Sequence, residues 1–122
     1  MVVNQVTKVA KLDIDVIVKY QIITHCYLQG IVVSESDLDC LTMLAFNPGI
    51  ELTEFCNQVS DEGIFKSSQS VRNAVNKAER KNLVIKDGSS RKVISLNPDM
   101  KVEIKAPVML NFKFVGLESK EE

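Results

Sequence analysis

The spacing of apolar and polar side chains changes several times along the chain, and each change predicts a separate element. Residues 12–18 alternate apolar and charged side chains over their first five positions and are rich in β-branched residues, which is typical of a strand with one solvated face. From residue 20 to residue 28 the spacing becomes that of a short helix, and Gly30 follows where a left-handed residue would end it. The apolar positions of this helix are Tyr20, Ile23 and Tyr27 on one side, with Ile22 and Cys26 beside them.

Three further helices are predicted between residues 34 and 81. Ser34 or Ser36 caps the first, Thr53 caps the second, and Ser67 or Ser68 caps the third, because a hydroxyl oxygen accepts the free N–H groups of a helix start. The expected inward positions are Leu38, Leu41, Leu44 and Ala45 in the first helix, Phe55, Cys56 and Val59 in the second, and Val71, Ala74, Val75 and Ala78 in the third.

The boundaries of these helices also follow from local residue types. Asn47-Pro48-Gly49 ends the first helix, Ile50-Glu51-Leu52 is a short extended piece, and Gly63 ends the second helix. After the third helix, Asn82 tolerates the left-handed conformation that turns a helix directly into a strand. Asp87-Gly88 then predicts a hairpin turn. The paired strands are Val84-Ile85 and Val93-Ile94.

Three helices followed by a hairpin are the element order of a winged helix-turn-helix, so the predicted fold is α+β with a three-helix core and a β-hairpin wing. Alternation in residues 101–105 and an apolar run over residues 108–115 predict added C-terminal strands, which could form an extra sheet with residues 12–18. The expected organisation is one compact domain: an N-terminal strand and helix extension at 1–30, the core at 31–97, C-terminal strands at 98–117 and a tail at 118–122.

Charge is segregated along the chain although the net charge is only −1. Residues 1–63 carry three basic and nine acidic side chains, a net −6, whereas residues 64–105 carry ten basic and four acidic side chains, a net +6. Such a dipolar surface suits an anionic partner at one pole, but a solvated helix face gives the same count.

The basic pole predicts a docking surface on the third helix and the wing for double-stranded DNA or for another protein. Against DNA, the helix would approach the major groove and the wing the neighbouring groove. The polarity of an outward helix face is equally expected on a helix that docks on protein or is merely solvated. The candidate docking residues are Ser68, Gln69, Arg72, Asn73, Asn76, Lys77, Arg80, Lys86, Arg91 and Lys92.

A second candidate surface would join subunits through the two ends of the chain. The same apolar side chains could instead belong to the intramolecular core, an alternative that the sequence favours for the terminal strand more than for the N-terminal valines. The candidate contact residues are Val2, Val3, Val6, Met109, Leu110, Phe112 and Phe114.

Catalysis is not expected from this sequence. His25 and Cys26 are adjacent, and neighbouring side chains on a helix point about 100° apart, which is poor geometry for a nucleophile and its base. The three cysteines, Cys26, Cys40 and Cys56, lack metal-site spacing and predict buried thiols. No Gly-rich phosphate loop is present. We therefore expect no catalytic residue, metal, cofactor or small-molecule substrate.

One resemblance concerns the fold. Residues 70–75 (SVRNAV), followed by residues 77–84 (KAERKNLV), resemble the recognition helix and its exit in bacterial winged-helix regulators, which usually carry glycine where this chain has Asn82. The resemblance extends over about residues 34–96. It implies a winged helix and allows a DNA-binding regulator that uses helix 68–81 and wing 84–96.

A second resemblance is to small proteins of crAss-like tailed bacteriophages. The segments that carry it are residues 24–31 (THCYLQGI), 36–41 (SDLDCL), 64–67 (IFKS) and 70–73 (SVRN). It implies a structural component of the virion, such as a neck or tail ring subunit, whose partners are other virion proteins and copies of itself. Because Lys8, Lys11 and Asp13 interrupt the apolar N-terminal run, we expect no signal peptide, no membrane partner and synthesis in the bacterial cytoplasm.

Overall fold

A computed structural model describes residues 2–5, 12–89, 91–105, 108 and 113–116, with side chains from residue 12 to residue 108 within those ranges. This part of the chain is α+β, with four α-helices and a small antiparallel three-stranded sheet. The helices are α1 (Ile14–Leu28), α2 (Glu35–Ala45), α3 (Leu52–Asp61) and α4 (Ser68–Arg80). The strands are β1 (Val2–Gln5), β2 (Ile50–Glu51), β3 (Val84–Asp87), β4 (Val93–Leu96) and β5 (Lys113–Gly116).

The predicted strand over residues 12–18 is wrong, because helix α1 already begins at Ile14. The buried side of α1 is formed by Val18, Ile22 and Cys26, which recur every four residues and pack into the core. Burial of this stripe outweighs the strand preference of the β-branched residues before it. Gly30 ends the helix at φ +70° as predicted.

Helix α2 is capped by Ser34 rather than Ser36, since the Ser34 side chain accepts a hydrogen bond from the Asp37 N–H at 3.1 Å. The prediction that Thr53 caps α3 is wrong. The N-cap is Glu51, whose carboxylate accepts from the Glu54 N–H at 3.0 Å, and the helix begins at Leu52. A carboxylate at a helix start is stabilised by the same free N–H groups that would have selected the threonine.

The predictions for α4 and the hairpin are confirmed. Ser67 caps α4 by accepting from the Ser70 N–H at 3.2 Å. Asn82 is left-handed at φ +62°, and the Leu83 N–H donates to the Ala78 carbonyl at 2.9 Å, which closes the helix end and starts the strand. The hairpin of β3 and β4 turns at Gly88, where φ is +91°.

The three-stranded sheet has the order β2-β4-β3, so β4 is its central strand. Ile50 pairs with Ile94 and Glu51 with Val93 in the β2–β4 ladder. Two further backbone hydrogen bonds extend this contact at its ends: the Gly49 N–H donates to the Ile94 carbonyl at 3.0 Å, and the Leu52 N–H donates to the Lys92 carbonyl at 2.7 Å. The hairpin is thereby attached to the start of α3.

A separate two-stranded sheet joins β1 to β5, with Val2 opposite Gly116 and Gln5 opposite Lys113. The partner of the C-terminal strand is therefore β1 and not residues 12–18. The predicted strand over residues 101–105 is also wrong: this stretch is irregular, and Glu103 is held against α1 by two backbone hydrogen bonds of 2.8 Å with the Gln21 side chain. The remainder of the predicted strand at residues 108–112 lies largely outside the described residues.

The core lies where the four helices meet the sheet. All the predicted inward positions of α2, α3 and α4 are buried, which confirms the helical spacing read from the sequence. Leu83, Val84, Ile94 and Met100 close the core from the side of the hairpin. Ile64 and Phe65, in the turn between α3 and α4, pack against it half-buried.

Candidate docking surfaces

The predicted polar face of α4 lies outside the core as expected. Ser68, Gln69, Asn73, Lys77 and Arg80 are exposed, whereas Arg72 and Asn76 are half-buried. On the hairpin, Arg91 and Lys92 are exposed and Lys86 is half-buried. The residues proposed for docking therefore differ in how freely their side chains could reach a partner.

Several of these polar side chains are bonded within the chain. Lys77 Nζ lies 2.7 Å from the Asp37 carboxylate, which is itself only 8% exposed. Arg72 donates to the Thr53 hydroxyl at 3.3 Å. The Gln69 amide donates to the Asn73 side-chain oxygen at 3.0 Å. Each of these interactions would have to be broken or shared before the same atoms contacted a ligand.

Glu79 joins α4 to the hairpin. Its carboxylate lies 3.4 Å from Lys86 Nζ and forms a close ion pair with Arg91. Lys86 Nζ also donates to the Asn76 side-chain oxygen at 2.6 Å. The carboxylate of Glu79 therefore engages two of the three cations that the sequence assigned to the hairpin.

An open cleft of about 350 Å³ lies along α4 beside this network. Phe65, Asn73 and Ala74 form part of its wall, and the Lys77–Asp37 pair lies at one side. Arg80 also lines it and has no ion-pair partner among the described residues. The cleft is shallow and open to solvent, and its lining supplies one unpaired cation.

The outward face of α1 is the surface that the sequence reasoning missed. We use that name for Val16, Tyr20, Ile23 and Tyr27, which lie on the side of the helix opposite the buried Val18, Ile22 and Cys26. Tyr20 is 48% exposed, Ile23 42% and Tyr27 82%. The helical spacing of these residues was visible in the sequence, but the apolar side of the helix was assigned one residue away from the stripe that is buried.

Charged groups near α1 lie on its flank and not on this face. Lys19 forms a close ion pair with Glu35 and a second one with Asp39 at 3.1 Å. The hydrogen bonds that Lys19 donates to these two carboxylates, Glu35 first, raise the pKa of Lys19 above its usual value. Lys19 therefore fastens α1 to α2, and the outward face of α1 is left without a charged side chain.

All three cysteines are free and buried, as predicted. Burial raises the pKa of the Cys40 thiol to about 12, with smaller contributions in the same direction from Asp37 and Cys56. Burial also raises the pKa of Cys26, where the Lys81 charge opposes it. Thiols that hold their protons so firmly are poor nucleophiles and poor metal ligands at neutral pH.

No group of three or more His, Cys, Asp or Glu side chains among the described residues could hold a metal ion. Within the same ranges, none of the helices has both the length and the apolar character that crossing a bilayer requires.

The predicted subunit contacts fall at the limits of the described structure. Val6, Met109, Leu110 and Phe112 lie outside the described residues. Val2 and Val3 in β1, and Phe114 in β5, belong to the two-stranded sheet, where Val3 pairs with Val115 and Asn4 with Phe114. The terminal segments that carry these residues are thus paired with each other through their backbones.

Comparison of the chain with family models, with curated proteins and with solved structures gave no match.

Proposed function

We propose that this chain is a winged helix-turn-helix domain that acts as a non-enzymatic docking subunit of a larger assembly. The order α2, α3, α4 and hairpin, with β2 as a third strand, supports the fold assignment. Helix α4 is then the helix that regulators of this architecture use for recognition, and β3–β4 is the wing.

The observation that carries the proposal is the internal pairing of the basic face. Duplex binding draws its affinity from cations that neutralise phosphates and release counterions. Lys77 is engaged by Asp37, and Lys86 and Arg91 are engaged by Glu79. A DNA-binding face with these side chains would give up intramolecular pairs for each phosphate contact, whereas a protein-docking face has no such requirement.

The assembly that we propose is a tailed-phage particle, in which the chain would be a neck or tail ring subunit. The resemblance to small proteins of crAss-like phages supplies this setting. The exposed apolar face of α1 supports it, because large apolar side chains that are solvated in the free chain favour association.

A DNA-binding regulator is the second candidate, and one specific observation favours it. Arg80 and Lys92 are exposed and have no ion-pair partner among the described residues. The hydroxyl of Ser68 and the amide of Gln69 stand in the first turn of α4, where the free N–H groups of a helix start attract phosphate. Arg80, Lys92 and Ser68 could contact a duplex without disturbing the internal ion pairs, whereas the Gln69 amide would have to break or share its hydrogen bond to Asn73.

Fluorescence anisotropy of a labelled mixed-sequence duplex, at 50 and 200 mM salt, decides between the two candidates. The docking proposal predicts no binding at micromolar protein. A regulator that neutralises about six phosphates would bind at low salt and lose on the order of 10³-fold in affinity at the higher concentration. That binding should be lost in the Arg80→Ala, Lys92→Ala double variant and kept in Lys101→Ala, which removes an exposed cation elsewhere. Such a result would overturn the docking proposal.

The virion part of the proposal has its own test. Mass spectrometry of purified particles of the parent virus should find the chain at a fixed ratio to the major structural proteins. A regulator would be present in infected cells and absent from washed particles.

A further inference from the structure

The outward face of α1 has the composition of an interface although no other described element covers it. Helix α1 carries large apolar side chains on its outward side as well as on its buried side, and a helix with that pattern is normally enclosed by other protein. Tyr27 is 82% exposed, and Leu28 and Val32 beyond it are 73% and 84% exposed. Tyr20, Ile23 and Tyr27, together with Leu28 and Val32 beside the face, leave on the order of 600 Å² of apolar side chain in water, the upper end of what monomers show.

We propose that this face pairs with the same face of a second copy, the two α1 helices lying antiparallel across a twofold axis. The pairing is isologous: each copy contributes the same residues, and each contact occurs twice. This inference deepens the proposed function and rests on it, since a docking subunit of an assembly requires a contact surface.

The spacing of the face supports a self-complementary register. Asp13, Val16, Tyr20, Ile23 and Tyr27 are separated alternately by three and four residues, which is the spacing of a coiled-coil seam. In an antiparallel pair with Tyr20 opposite Ile23 of the second copy, Val16 falls opposite Tyr27. Each tyrosine then meets an aliphatic side chain and never another tyrosine. The ring lies over apolar surface, and its hydroxyl emerges at the wet edge of the seam.

Charge in the same register is complementary. Residue 13 of one copy lies opposite residue 30 of the other, so the exposed Asp13 approaches the C-terminal end of the partner helix. Lys81 is at that end, with its Nζ 2.7 Å from the Val32 carbonyl. The positive charge of Lys81 offsets the negative end of the partner helix dipole that Asp13 approaches. A parallel pair would instead bring the two Asp13 carboxylates together without such a cation and align the helix dipoles unfavourably.

The area also fits a second copy. Complete burial of this face in both copies, with Leu28 and Val32 included, would remove at most about 1,200 Å² from water, which is the lower limit for a specific protein–protein interface. A reversible dimer is therefore expected, with a dissociation constant in the micromolar range.

Sedimentation equilibrium of the full chain between about 1 and 200 μM tests the association. The expected result is a concentration-dependent shift from one chain mass to two. Tyr27→Glu places a charge in the seam and should raise the dissociation constant on the order of 100-fold. Because Tyr27 is mostly solvated in the free chain, the variant should fold normally, as its circular dichroism would show. Ile85→Glu, at an exposed apolar position of β3, is the matched control and should dimerise like the parent.

Disulfide trapping tests the register. The variants Tyr20→Cys and Ile23→Cys, mixed in equal amounts and mildly oxidised, should give a cross-linked heterodimer, because these positions face one another across the axis. Each variant alone should cross-link poorly. The three native thiols are buried and contribute little. Equal cross-linking of Tyr20→Cys with itself would identify a parallel pair and overturn the proposal.

The failure of this inference is distinguishable from the failure of the proposed function. A chain that remains monomeric at 200 μM and binds no duplex refutes the α1 pairing and leaves docking on another partner. A chain that dimerises through α1 and also binds duplex with a steep salt dependence keeps the pairing and refutes the docking function.

Discussion

The outward faces of α4 and α1 differ in the polarity of the side chains that they expose to water. On α4 the side chains are polar, and several are bonded to other parts of the same chain, as in the Lys77–Asp37 pair. On α1 the outward side chains are apolar and end in water, with Tyr27 the most exposed of them.

The face that the sequence suggested for docking is therefore not the face on which burial by a partner would lower the free energy most. The residues that resemble winged-helix regulators and the excess of basic residues both lie on α4 and the hairpin. A lysine or arginine that is paired with a carboxylate of the same chain, however, already has an ionic partner without another protein. An exposed tyrosine or isoleucine lowers the free energy of the system only when something covers it. The outward face of α1, which the sequence did not suggest for docking, would therefore be stabilised more by a partner than the polar face of α4.

The largest expected effect distinguishes the buried side of α1 from its outward face, and it is measured at two adjacent isoleucines. Ile22 is fully buried, and Ile23 is 42% exposed. Ile22→Ala should lower the free energy of unfolding by about 3 kcal/mol through lost burial and a residual cavity. Ile23→Ala should change it by less than about 0.5 kcal/mol. Urea unfolding at low micromolar concentration measures both, and equal losses would show that the outward face is part of the core.

Two of the three buried thiols, Cys40 in α2 and Cys26 in α1, allow a comparison of their surroundings by pH. A raised thiol pKa means that the folded state keeps a proton that the unfolded chain loses near pH 9, so the stabilisation is complete below pH 9 and is lost as the pH rises toward 12. The stability lost through Cys40 amounts to about 2 kcal/mol at pH 10.5. Thermal unfolding from pH 8 to pH 11 should show a flatter alkaline decline in Cys40→Ala.

The Cys26→Ala variant is the control for this experiment. The Lys81 charge opposes the effect of burial at Cys26, so this variant should keep more of the decline. Identical slopes in the two variants would contradict the contrast between the thiol beside Asp37 and the thiol beside Lys81.

The smallest expected effect concerns the ion pairs of the two regions. In a double-mutant cycle of Asp37→Asn with Lys77→Met, the coupling energy should be about 1 kcal/mol, because the Asp37 carboxylate is nearly buried. The same cycle for Lys19→Met with Glu35→Gln should give less than about 0.5 kcal/mol, because the Glu35 side chain is 72% exposed. Equal coupling energies would mean that the Lys77–Asp37 pair is no stronger than the exposed Lys19–Glu35 pair.

Local chemistry made the second half of the molecule predictable. The Ser67 cap, the left-handed Asn82 and the Gly88 turn each act within a few residues, so their consequences can be read without knowing what packs nearby. The buried stripes of α2, α3 and α4 followed because their helical period is unambiguous.

The predictions were wrong where contacts between distant parts of the chain determine the structure. Residues 12–18 satisfy the strand alternation, but Val18 also begins the four-residue spacing that continues through Ile22 and Cys26, and packing of these three against the core favours the helix. The Lys77–Asp37 pair joins residues forty positions apart, so no local pattern could reveal that this cation is already engaged. The free positive charge of the candidate docking residues was thus overestimated.

The attachment of β2 to the hairpin has a consequence for the order of folding. Strands β3 and β4 are neighbours in sequence and can form early, whereas Ile50 meets Ile94 only after the intervening helices have brought the ends of a long loop together. Strand β2 is therefore expected to join last and to leave first. In native-state hydrogen exchange the amides of Gly49 and Leu52 would report this opening, a local event that loosens the start of α3 while the hairpin remains intact.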